Sequence, residues 1–294
     1  MAGRFGSVIT AMVTPFRDDY SLDLDGAQAL AKQLLDSGSD GLVVAGTTGE
    51  SPTLTHDEKR ELFRAVVEAA QGQGSVICNT GTYNTEESVE LTRLAEESGA
   101  DAVLTVTPYY NRPPQRGLLA HFTRIAGSTE LPVILYNIPS RTSCVIEGDT
   151  LLRLAEVRNI VGVKDATGDF ATISRIVAEA PTGFEVYAGD DAQTFAICCL
   201  GGVGVVAVAS HLAGDRMKQM IDLIDGGDVP AARKIHHDLV PLFKAMGVTT
   251  NPIPVKAALE IAGRPAGPPR LPLVPASPEE RQKIEEAMRA VGVL

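Results

Sequence analysis

Lys164 closes the apolar run IVGVKDATGD, and lysine is almost never fully buried without a partner or a purpose. A strand-end lysine can snorkel, its stem packed and its ammonium wet. The other reading is a Schiff-base lysine: apolar burial disfavours the ammonium, and the neutral amine then attacks a carbonyl carbon. Gly162, two residues earlier and so on the same strand face, leaves room beside the lysine stem for a small substrate.

Four other motifs carry side chains suited to such a site. Tyr136, in PVILYNIPSRT, offers a phenol that can shuttle protons if it belongs to a relay, or a ring that simply packs a barrel end. Thr47 and Thr48, in VAGTTGES, set adjacent hydroxyls and backbone amides in a Gly-bounded turn, which makes either a carboxylate cradle or a plain turn. Tyr109 and Tyr110, in TPYYNRPP, form an aromatic doublet for a substrate or subunit contact, or two rings packed on the rim. Arg141, in IPSRT, has the forked guanidinium that reads a carboxylate, although a loop arginine is usually a solvated charge. The five histidines show no ligand spacing with Cys or acids, so no metal is expected. Asp190 and Asp191 read as helix caps rather than a glycosidase pair, and GGVGVV lacks dinucleotide-loop spacing, so no cofactor is expected.

The elements that must position these groups alternate. Short Val/Ile-rich runs begin near Val8, Gly41, Ser75, Ala102, Pro132, Ile160, Phe184 and Gly204, with helix-period segments between them. Each run is nearly continuous in apolar residues, as strands covered on both faces should be, and eight of them predict a (β/α)8 barrel. The chemistry-bearing motifs all fall at strand carboxyl ends, where barrel active sites form. Thr55 with Glu58, and Asn84 with Glu87, resemble capping boxes that open helices. The division is a barrel over 1–225 and a helical region over 226–294, with helices near 212–226, 229–245, 253–263 and 277–291, the last opened by Ser277 and Glu280. GRPAGPPRLPLVPAS, 263–277, reads as an extended surface connector.

Composition excludes several classes. The 294 residues are 44% hydrophobic and carry a net charge of −11, which opposes phosphate backbones and anionic lipid, so neither nucleic acid nor membrane is an expected partner. No apolar run reaches the roughly eighteen residues that cross a bilayer, and the start MAGRFGSVIT lacks a secretory core, so a cytoplasmic location is expected. Cys78, Cys144, Cys198 and Cys199 are too sparse for a disulfide framework.

Taken together and in this order, GTTGES, TPYYNRPPQ, LYNIPSRT, GVKDATGD and YAGDD resemble the dihydrodipicolinate synthase branch of the pyruvate-dependent aldolase family, which also includes N-acetylneuraminate lyase. The paired threonines and the arginine of IPSRT point to the synthase branch. The resemblance implies that Lys164 forms an imine with pyruvate, that Tyr136, Thr47 and Tyr110 make a proton relay, and that Thr48 holds the pyruvate carboxylate. It implies further that Tyr110 comes from a neighbouring subunit of a homotetramer built from two dimers. Arg141 then binds L-aspartate 4-semialdehyde, with backbone groups of Gly189 and Val206 completing the pocket. A related aldolase acting on a 2-keto-3-deoxy sugar acid or 4-hydroxy-2-oxoglutarate, and a non-catalytic keto-acid binder, are the competing readings.

Some members of that branch are inhibited by lysine at positions matching Ser51, Pro52, His56, Lys59, Tyr83, Glu87 and Tyr109. Sensitive members usually carry His or Glu at Lys59 and Asn at Tyr83, while Asn79 and Ser143 stand where the family pattern has glycine. An ammonium at Lys59 would repel the effector's own charge. Feedback by lysine should therefore be weak or absent, and a steady-state assay showing strong inhibition at low millimolar lysine would refute this.

Overall fold

The computed structural model describes residues 3–264 and 266–294; Met1 and Ala2 of the start segment, and Pro265 of the connector, lie outside the described residues. Eight parallel strands close into a barrel in sequence order: β1 (Val8–Ala11), β2 (Gly41–Val44), β3 (Ser75–Asn79), β4 (Ala102–Val106), β5 (Val133–Asn137), β6 (Ile160–Asp165), β7 (Glu185–Ala188) and β8 (Gly204–Ala207). All eight expected strands form, with β5 and β7 starting one residue later than the sequence suggests.

The continuous apolar runs have a geometric cause. Side chains alternate across a strand, so each strand feeds two cores. Ile9, Val43, Ile77, Leu104, Ile134, Tyr187 and Val206 fill the barrel interior. Val8, Leu42, Val76, Val103, Leu135, Val186 and Val205 point outward into the layer of helices. The helices obey their local signals. Thr55 with Glu58 and Ser277 with Glu280 form complete capping boxes. Asn84 caps its helix by accepting from the Glu86 and Glu87 N–H groups, but the reciprocal bond is missing: the Asn84 N–H donates to Thr82, and Glu87 accepts from the Thr82 hydroxyl.

One irregularity positions the site. Val133 pairs with Ile160, but Ile134 pairs with Gly162, so β6 carries an extra residue, Val161, opposite β5. The resulting bulge brings Gly162 and Lys164 into line with Ile134 and Tyr136, whose side chains point into the barrel. Without it, a one-residue slip would turn the lysine toward the helices. Gly162 does share the face of Lys164, but it leaves no space for substrate: a Cβ there would lie 2.5 Å from the Glu185 carbonyl oxygen, so the β7 backbone fills the gap.

After β8 the chain is helical, at Ser210–Asp225, Val229–Ala245, Ile253–Ile261 and Pro278–Val291. Ala213 departs from helical angles, so Ser210 and His211 form a separate first turn that packs back on β1. Leu239, Leu242, Leu259, Ile284 and Met288 share one apolar core with the outer face of the barrel. No helix among the described residues is long and apolar enough to cross a membrane.

The connector is tied down by a buried charge cluster. Lys256 Nζ lies 2.7 Å from Glu50 Oε1, with both side chains essentially inaccessible, and also donates to the Pro268 carbonyl. The Arg270 N–H donates to the second Glu50 oxygen, and its guanidinium donates to Glu58 and to the Tyr20 and Thr53 carbonyls. The Phe16 ring lies 4.4 Å from the Lys256 amine and 4.2 Å from the Arg270 guanidinium. Gly267 passes so close to Phe16 that any Cβ would overlap its carbonyl. Removing one charge strands the other. Lys256→Ala should therefore cost about 3–5 kcal/mol in urea unfolding, whereas Glu50→Gln with Lys256→Met should cost far less; an unchanged midpoint for the single variant would show that the pair contributes nothing.

Candidate active site

Lys164 and Tyr136 occupy paired positions at the carboxyl ends of β6 and β5, and both are about 95% buried at 5% exposure. The amine nitrogen sits 4.1 Å from the centre of the tyrosine ring. Burial pulls the lysine down to about 7, with Asp191 opposing the shift and Arg141 adding to it. Near neutrality, much of this amine is uncharged. Burial also pushes the Tyr136 phenol above its ordinary range, while Arg141 and the neighbouring Thr47 hydroxyl favour ionisation and Asp190 opposes it.

A cavity of about 200 Å³ stands over the two side chains, large enough for a small keto acid. Its walls come from four regions. The loop after β2 supplies Thr47 and Thr48, and its tight turn is closed by bonds from the Glu50 N–H to the Thr47 carbonyl and from the Ser51 N–H to the Gly46 carbonyl. The loop after β5 supplies Ile138 and Arg141, the latter on the short helix Pro139–Thr142. The loop after β7 supplies Gly189, Asp190 and Asp191. Beyond β8 come Val208, then Phe243, Met246, Gly247 and Asn251 from the tail.

Of the residues singled out from sequence, Lys164, Tyr136, Thr47, Thr48, Arg141 and Gly189 converge on this cavity. Thr48 is buried, and its hydroxyl accepts a 2.9 Å bond from Asn251 Nδ2. Arg141 is exposed at the rim, where Nη2 donates to the Asn251 carbonyl at 3.4 Å. The Gly189 N–H donates to the Asp165 carbonyl at 2.6 Å, which leaves it unavailable to a ligand. The Val206 side chain packs in the barrel interior, and Val208 lines the cavity wall. Tyr110 is 92% exposed in a left-handed backbone conformation and does not line the cavity of its own chain.

A second cavity of about 290 Å³ adjoins the first, sharing Thr47, Ile138, Arg141 and Asn251 and extending past Ser51, Pro52 and Tyr109. The matched effector positions gather beside it. His56 Nε2 lies 3.3 Å from Glu87 Oε1, Tyr83 and Tyr109 meet edge to face at 5.2 Å, and Lys59 is buried, its amine pulled down by burial against the pull of Glu87. Asn79 and Ser143 also find their reasons here. The Asn79 amide donates to the Ser51 hydroxyl at 3.4 Å. Ser143 ends the 139–142 helix at φ 53, the left-handed position that glycine occupies most easily, and its carbonyl accepts from Arg112.

Sequence reasoning missed two polar groups. Asp190 is a cap, accepting from the Ala192 N–H at 2.8 Å, but Asp191 is not: it is buried in the cavity wall, accepts from the Val208 and Ala209 N–H groups, and is pushed up to about 6, first by burial. Asn251, whose Oδ1 is buried without a partner, lies in TTNPIP, which reads only as a turn. Among the described residues, no cluster of three or more His, Cys, Asp and Glu could hold a metal.

Comparison with known proteins agrees with this geometry. The Dihydrodipicolinate synthetase family model matches residues 4–291. The chain is 53% identical to 4-hydroxy-tetrahydrodipicolinate synthase of Moorella thermoacetica, covering 99% of this chain and 100% of that one. It superposes with a TM-score of 0.98 on dihydrodipicolinate synthase of Cyanidioschyzon merolae with lysine bound, at 45% identity, covering 99% and 100% of the two chains. The chloride-inhibited enzyme of Acinetobacter baumannii complexed with pyruvate gives 0.95 at 36% identity, covering 99% of both. With its whole length matched, its barrel superposed and its cavity built around the motifs that first suggested the resemblance, the chain belongs to the dihydrodipicolinate synthetase family.

Proposed function

We propose that the protein is a lyase condensing pyruvate with L-aspartate 4-semialdehyde to give 4-hydroxy-tetrahydrodipicolinate, with Lys164 as the Schiff-base residue. The observation that carries this reading is a buried amine held near neutrality at about 7, facing a cavity of keto-acid size. Relatives at about half identity over the full length bear the synthase name, and one structural relative binds pyruvate.

The uncharged Lys164 amine attacks the ketone carbon of pyruvate, and the carbinolamine loses water to give an iminium. Tyr136, with the Thr47 hydroxyl beside it, carries the proton that leaves with that water and takes one from the pyruvate methyl to form the enamine. The Thr48 hydroxyl holds the pyruvate carboxylate. The enamine carbon adds to the aldehyde of the second substrate, whose carboxylate pairs with Arg141 at the rim. The amine of that substrate then attacks the iminium carbon, closes the ring and expels Lys164, so one water is released for each product formed. Gly189 lines the pocket with its backbone, its N–H being spent on Asp165.

Tyr110 joins the relay of a neighbouring subunit in a homotetramer, a role supported by its exposure and its left-handed backbone. The exposed Tyr83 packs edge to face on Tyr109, the residue before Tyr110.

Borohydride reduction in the presence of pyruvate should fix a stable adduct on Lys164, found by peptide mapping. Its rate should rise about tenfold between about pH 6 and pH 8 and then level off, as an amine titrating near 7 requires. Lys164→Ala should fold, form no adduct and lose turnover. Full activity in that variant, or an adduct mapped elsewhere, would end this reading.

A further inference from the structure

We propose that Asp191 is the counter-ion that sets how readily Lys164 gains and loses its proton, a positioning residue for the imine chemistry on which this assignment rests. Three observations lead there. Asp191 and Lys164 wall the same small cavity, and the carboxylate is nearly inaccessible to solvent. That carboxylate is clamped: Oδ1 accepts from the Val208 N–H at 3.0 Å, and Oδ2 accepts from the Ala209 N–H at 2.8 Å. The clamp is itself braced, because buried His211 donates from Nδ1 to the Val208 carbonyl at 2.8 Å and accepts at Nε2 from the Val13 N–H at 3.2 Å. Burial pulls His211 down to about 4, so it stays neutral and keeps both bonds.

The surrounding charges leave Asp191 this role. Arg141 faces the lysine with the wrong sign. Asp190 is exposed to solvent as a cap on the Ala192 N–H, and Asp191 rather than Asp190 is the carboxylate that acts on the lysine. Tyr136 brings a phenol that burial keeps protonated, and among the described residues of the tail only Phe243, Met246, Gly247 and Asn251 reach the cavity, none of them titratable. When water leaves the carbinolamine, the nitrogen becomes a cation in a dry pocket and needs a fixed negative charge close by. A carboxyl titrating near 6 beside an amine near 7 supplies it while still allowing the amine to be free at neutral pH.

Asp191→Asn removes the charge and keeps a carbonyl for the backbone clamp. Without the carboxylate the ammonium loses its partner, so the acid limb of pyruvate trapping at Lys164 should move down by about one pH unit. kcat should fall at least about tenfold while KM for pyruvate changes less, because the iminium, rather than the bound ketone, has lost its counter-charge. Asp191→Glu, which restores a charge, should return the limb toward its starting position. An unmoved limb with the adduct still forming would overturn the Asp191 assignment alone; absence of any adduct in the unmodified protein would overturn the imine reading with it. Should Asp191→Asn not fold, the coupling is read in reverse by carbon NMR of labelled aspartates. The Asp191 carboxyl should titrate near 6 in the unmodified protein and higher in Lys164→Ala, and equal values in the two would overturn the assignment.

Discussion

The structure is organised around withholding water from one amine. Moving Lys164 from an ordinary lysine value of 10.5 to about 7 means that the fold disfavours its ammonium by on the order of 5 kcal/mol. No single contact does this. The β6 backbone aims the side chain inward, the Tyr136 ring covers its end, and Phe243 and Met246 of the tail close the remaining side with apolar surface. The tail is therefore part of the dielectric environment of the site as well as part of the apolar core.

That arrangement explains where the molecule invests in buried charge. Glu50 follows the two cradle threonines by two residues, and its pairing with Lys256 and Arg270 joins the loop after β2 to the tail and connector. Asn251 makes the same junction closer to the cavity, donating to Thr48 from the side chain while its carbonyl accepts from Arg141. Three chain segments distant in sequence are thus held in register above Lys164. A loop bearing two hydroxyls would otherwise have few contacts to define its geometry.

Much of this was legible in the sequence, and the gaps have physical causes. Period and apolar content located all eight strands, because strands that feed two cores have continuous apolar runs. Strand ends located Lys164, Tyr136, Thr47, Thr48 and Arg141, since loop chemistry in a barrel collects at one face. What stayed hidden depends on three-dimensional neighbours. Asp191 looks like its adjacent cap, and only the amide groups of residues 208 and 209 distinguish them. Asn251 lies 203 residues from the hydroxyl it binds. The space beside Gly162 is filled by a β7 carbonyl distant in sequence, whereas the Asn84 N–H takes the Thr82 hydroxyl two residues upstream, a local competitor to the capping-box partner Glu87.

Val161 has a consequence for how this chemistry could be moved between scaffolds. It is an ordinary buried aliphatic residue packed in the same interior cluster as Tyr136, yet its surplus position sets the register that turns Lys164 inward. Grafting the β6 segment Ile160–Asp165 onto a regular scaffold that pairs Val161 directly with the neighbouring strand would carry every side chain across and turn Lys164 toward the helices. The transferable unit of this site is a lysine together with the backbone defect three residues upstream of it.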